Sequence, residues 1–132
     1  MAILEAPDDR LYSPHHLWVQ MADDAPQTAW TGITHHLQEE LPEILSIELP
    51  HAGDELEMGV ACIHMHLDSG LYDLPAPLSG RAVVVNRDVL DRPDILHVDP
   101  YRHWIFKLEY DEPDELEMLL DAARYDRYLE SL

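Results

Sequence analysis

Up to Tyr110 the chain is built of short stretches that either alternate apolar and polar residues, as Ile44 to Leu49 and Ala61 to Leu67 do, or are rich in β-branched and aromatic residues, as Arg81 to Asn86 is in valine. Such stretches are half-buried strands. The pattern predicts strands at Leu17 to Met21, Thr28 to Thr34, Ile44 to Leu49, Ala61 to Leu67, Leu71 to Leu74, Arg81 to Asn86 and His103 to Tyr110. Turn residues separate them, among them Pro50-His51-Ala52-Gly53. Thr34 is suited to cap a short helix, His35 to Leu41, which Pro42 ends. Val89 to Leu96 reads as a short helical or irregular crossing broken by Pro93. After Tyr110 the spacing changes. Pro113 fits a first helical turn, and Leu116, Leu119 and Leu120 then share one face. Asp121 can cap a second helix, Ala122 to Leu129. Residues 1–10 read as a loosely held arm ahead of a single domain over 11–132.

The stretch from Gly53 to Gly80 organises the rest. Ala61 to Leu67 puts Cys62, His64 and His66 on one strand face and Ile63, Met65 and Leu67 on the other. Asp68-Ser69-Gly70 is turn chemistry, with Gly70 able to take a positive φ. The return strand closes at Pro75, so a hairpin presents Ser69 at its tip.

Composition narrows the partners. A 132-residue chain with 46% hydrophobic residues can bury one core. The formal charge of −19 disfavours nucleic acid and anionic membrane. No stretch is apolar for long enough to span a bilayer, and the first ten residues lack the pattern of a signal peptide. A single cysteine suits a reducing compartment, and the expected location is the cytoplasm.

A set of ordered landmarks resembles the H protein of the glycine cleavage system. Tyr12-Ser13 with His16, Trp18 and Val19 resembles the family's opening segment. Gly32-Ile33-Thr34, Gln38-Glu39, Ile47-Glu48-Leu49-Pro50 and Gly53-Asp54 follow in order. Ala76-Pro77-Leu78-Ser79-Gly80, Val85-Asn86, Asp99-Pro100-Tyr101 with Trp104 and Phe106-Lys107, and Pro113 to Tyr125 complete the series. The resemblance implies a mainly β (α+β) fold, a lipoyl-domain-like barrel-sandwich hybrid with short helices, two of them at the C-terminus. It implies a carrier rather than an enzyme. In the family, lipoate on one lysine at a hairpin tip shuttles an aminomethyl group between the decarboxylase, aminomethyltransferase and dihydrolipoyl dehydrogenase.

The chain departs from that pattern at the lysine. Counting forward from Gly53-Asp54 or back from Ala76-Pro77 puts Ser69 there, with His66 where the family has glutamate. Lys107 is the only lysine, and it lies in the segment after Trp104. A hydroxyl cannot form the lipoyl amide, so lipoate is expected to be absent and Ser69 unmodified. The reading that follows is a non-lipoylated scaffold that binds protein partners, such as glycine cleavage or lipoate-handling enzymes. Two alternatives stand beside it. One is a metal- or small-ligand-binding module using Cys62, His64 and His66, whose thiolate and imidazoles suit zinc or copper. The other is an ordinary glycine cleavage carrier. Asp68-Ser69-x-Leu71 also faintly resembles the phosphopantetheine serine of acyl carriers, but those are helical. No catalytic acid–base pair or phosphate loop stands out. Trp18, Trp30 and Trp104 read as core, and the acidic run Asp111 to Glu117 as a solvated helix start.

Overall fold

The computed structural model describes residues 6–132; the first half of the expected arm, residues 1–5, lies outside them. Among the described residues nine strands form two sheets. The larger is antiparallel and contains β1 (Leu11–Tyr12), β2 (Leu17–Met21), β3 (Thr28–Ile33), β9 (Phe106–Tyr110), β8 (Gly80–Val85) and β5 (Glu55–Leu56), in that spatial order. The smaller has β4 (Ser46–Glu48), β6 (Ala61–Leu67) and β7 (Gly70–Pro75), with β6 in the middle. Three short α-helices connect or flank them: α1 (His35–Glu40), α2 (Arg87–Asp91) and α3 (Ala122–Glu130). None of the described helices is long and apolar enough to cross a membrane.

The period-two pattern explains why the sheets face each other. Leu17 and Val19 of β2, Ala29 of β3, Ala82 of β8 and Phe106 and Leu108 of β9 point inward from the large sheet. Ile47, Ile63, Met65 and Leu74 meet them from the small one, all 6% exposed or less. Burying such side chains contributes about 1.5–3 kcal/mol each, and this is what holds the two sheets together. Trp18 points the other way, into a second cluster with Tyr12, Ala122 and Tyr125. Helix α3 therefore covers the outer face of the large sheet. Trp18 lies flat over the strand it pairs with because its partner is Gly32. A Cβ there would come within 2.6 Å of the indole.

Several expectations need correction. Leu116, Leu119 and Leu120 do not share a helical face. Pro113–Met118 is a 3-10 turn, and the chain is already extended at Leu119. Leu120 then bridges Tyr12 through a pair of 2.7 Å backbone hydrogen bonds, which a helix through that position would forfeit. The acidic run is not merely solvated either. The Glu115 carboxylate accepts hydrogen bonds from the Ser79 amide (2.7 Å) and hydroxyl (2.8 Å), tying this turn to the start of β8. The strand expected from His103 begins at Phe106; ahead of it Trp104 packs against Trp30, ring centres 4.7 Å apart and planes tilted by 57°. The described part of the arm is held rather than loose: the Pro7 carbonyl accepts from the Tyr12 hydroxyl at 2.5 Å, and the Arg10 guanidinium sits 4.5 Å over the Trp18 ring.

Candidate functional site

The β6–β7 hairpin carries the residues singled out in the sequence. Its register runs from Leu67↔Gly70 at the tip through His66↔Leu71, Met65↔Tyr72 and His64↔Asp73. Asp68 and Ser69 form the connection, neither with a positive φ. Gly70 supplies it, at 128°, as the turn requires. Asp68, Ser69, Gly70 and Leu71 are all exposed. Strand β4 ends its pairing at Ser46↔His66, so the tip extends past the edge of its neighbour. Ser69 thus occupies a protruding point that a partner can reach from several directions.

The amine that could replace it is far from solvent. Lys107 has a side chain only 9% exposed, with Nζ 2.5 Å from an Asp24 carboxylate oxygen and 4.7 Å from the centre of the Trp30 ring. The ammonium donates to Asp24 and holds that carboxyl below its usual range.

The strand-face trio does not stay together. Ile63 and Met65 are buried, as alternation requires, and His64 and His66 face outward. Between Ala61 and Ile63 the register shifts, and Cys62 packs against the core instead of joining them. Burial pushes its thiol up to about 12, which disfavours the thiolate a metal needs. Each histidine instead meets a carboxylate. His64 Nδ1 is 2.7 Å from Asp73 Oδ1, and His66 Nε2 is 2.5 Å from Glu48 Oε2. Among the described residues no three His, Cys, Asp or Glu side chains are gathered as a metal site.

A second group of histidines gathers around His16, one of the ordered landmarks of the sequence. His16 adopts a left-handed φ of 70°, which sets its ring under α3. There Nδ1 lies 2.8 Å from the Tyr125 hydroxyl, which is itself 2.8 Å from Thr34 Oγ1. The His36 ring is 4.5 Å away, with Tyr128 at 6.1 Å. Desolvation first, then the neighbouring His36 and His15, lower the His16 pKa to about 4. The folded state therefore disfavours its protonation, whereas the unfolded chain takes up a proton near pH 6.5. Stability contributed by neutral His16 is complete above pH 6.5 and is lost as pH falls towards 4. Allowing for solvent screening of a partly exposed ring, that loss is about 1–2 kcal/mol. Urea unfolding between pH 7 and 4 checks it. His16→Asn, which tolerates the left-handed backbone, is expected to show a flatter profile than the natural chain over this range. Equal profiles would remove His16 as the cause.

A family model described as "Glycine cleavage H-protein" matches residues 10–132. The glycine cleavage system H protein of Methylacidiphilum infernorum is 37% identical over 128 residues, covering 96% of this chain and 98% of that protein. The one from Klebsiella pneumoniae is 36% identical over 125 residues, covering 94% and 95%. Among solved structures, the crystal structure of a glycine cleavage system H protein from Mycobacterium marinum superposes with a TM-score of 0.79 at 29% identity. It covers 96% of this chain and all of that one.

Proposed function

The chain belongs to the glycine cleavage H-protein family, and from that premise we propose that it is a member that does not carry lipoate and works by binding protein partners. The observation that carries the reading is the residue at the hairpin tip. The family's arm is an amide of a lysine amine, and position 69 offers a hydroxyl instead. The only lysine in the chain is buried against Trp30 and paired with Asp24, so it cannot serve as a substitute. Glycine cleavage or lipoate-handling enzymes as those partners fit the family relationship. The charge of −19 favours basic surfaces on whichever partner is bound.

The rival reading, a working aminomethyl carrier, is favoured by the near-complete coverage of relatives named glycine cleavage system H protein. It requires a covalent lipoyl group. Co-expression with a lipoate ligase and lipoate, followed by intact-mass measurement, separates the two. The natural chain is expected at its unmodified mass. A lipoyl increment on any residue would establish the carrier and end the scaffold reading. Immobilised chain is then expected to retain at least one of the decarboxylase, aminomethyltransferase, dihydrolipoyl dehydrogenase or lipoate ligase saturably. Retention of none of the four would remove the proposed partners.

A further inference from the structure

The outer face of the small sheet carries two imidazoles held by carboxylates, and we infer that His64 and His66 together chelate a divalent late transition metal ion, copper(II) foremost. The two residues are alternate positions of one strand, about 6–7 Å apart along it, with side chains on the same face. Both side chains are partly open to solvent, at 39% and 41% exposure. Each already has one ring nitrogen committed. Asp73, directly opposite on β7, takes His64 Nδ1 at 2.7 Å. Glu48, on β4, takes His66 Nε2 at 2.5 Å. His64 Nε2 and His66 Nδ1 remain to bind a cation. A carboxylate bound to the second nitrogen is the usual support of a metal-ligating histidine: it fixes the ring and raises its basicity.

Other features point to the same ion class. Two carboxylates, Glu48 and Asp73 on the strands either side of β6, within a chain of charge −19, draw cations to this face. Imidazole nitrogen suits copper, nickel and zinc, and copper(II) heads the divalent series for a given nitrogen site. Cys62 is not part of the site, because the irregular register at Ala61/Ile63 turns it towards the core. The described residues gather no third His, Cys, Asp or Glu ligand. The chain therefore supplies two nitrogens, and water completes the coordination. The site lies on the strand that leads to Ser69, but it stands independently of what that residue carries.

Untagged full-length chain titrated with copper(II) alone, by calorimetry and by paramagnetic broadening of amide signals, tests the assignment. One copper per chain is expected in the tightest class, with broadening centred on residues 46–48, 64–66 and 71–73. His64→Ala and His66→Ala are each expected to weaken that class at least tenfold. Asp73→Asn and Glu48→Gln are expected to weaken it by about tenfold, the lower end for loss of a supporting carboxylate. His51→Ala, at a side chain 92% exposed on a separate turn, is expected to leave it unchanged. His64→Gln and His66→Gln keep a group able to bond the carboxylates and repeat the test should an alanine variant fail to fold. Broadening centred instead on His15, His16, His35 or His36 would overturn the inference. So would wild-type affinity in both the His64 and His66 variants.

Discussion

A Ser69→Lys variant is expected to take up lipoate under conditions in which the natural chain stays unmodified. The change is all or none, because it turns on whether an acylable amine exists at the tip. The local structure already supports such an amine. Asp68 and Ser69 connect two paired strands, both are exposed, and nothing lies within 4 Å of where a Cβ on Gly70 would sit. A lysine there extends a long stem into solvent without displacing core residues, so the thermal midpoint is expected to change little. The surroundings also depart from the family pattern: His66 stands in place of a glutamate and is bonded to Glu48. A double variant, His66→Glu with Ser69→Lys, restores that charge. Intact mass and peptide mapping are expected to find one lipoyl group at position 69 in the single variant and more complete modification in the double one. Failure of both to be modified would mean that this tip is not the equivalent of the family's attachment point, and the scaffold reading would lose its basis.

Gly80→Ala is expected to be the most destabilising single methyl in the protein. Gly80 opens β8 and pairs with Tyr110 of β9, with a φ of 154°. A Cβ there would lie 1.9 Å from the Glu109 carbonyl oxygen and 2.8 Å from both the Glu109 carbonyl carbon and the Tyr110 Cα. All three are backbone atoms, so relief requires moving β9 rather than rotating a side chain. Strand β9 is the centre of the large sheet, held between β3 and β8. Backbone strain of about 1–3 kcal/mol adds to overpacking of about 1–3 kcal/mol. The sum lowers the thermal midpoint by roughly 10–20 °C for a domain of this size. Gly53→Ala provides the contrast. Its φ of 93° is also left-handed, but no atom lies within 4 Å of the added Cβ. Only strain remains, and a fall of a few degrees is expected, following from a cost of about 1 kcal/mol. Scanning calorimetry of the two variants decides it. Similar midpoints would show that β9 yields to the methyl group.

The amino-acid sequence alone determined the elements long enough to show a period. Ala61 to Leu67 alternates over seven residues, and the structure has a strand of those bounds with Ile63 and Met65 inside. The turn chemistry of Asp68-Ser69-Gly70 also puts Ser69 in the connection, and a hairpin's register follows from its connection. By that register His64 could have been set opposite Asp73. Two-residue strands such as Glu55–Leu56 left no trace, since two positions carry no period. Only the tertiary structure decided the rest. Glu48 reaches His66 from a strand eighteen positions earlier, and Asp24 and Trp30 enclose Lys107 from more than seventy positions away. Cys62 left its face because of a register shift, and Leu119 left its helix for a bridge between Leu120 and Tyr12. Periodicity records which way a side chain points from its own strand. What that side chain meets is set by packing between segments distant in the chain, where burial and hydrogen bonding outweigh local preference.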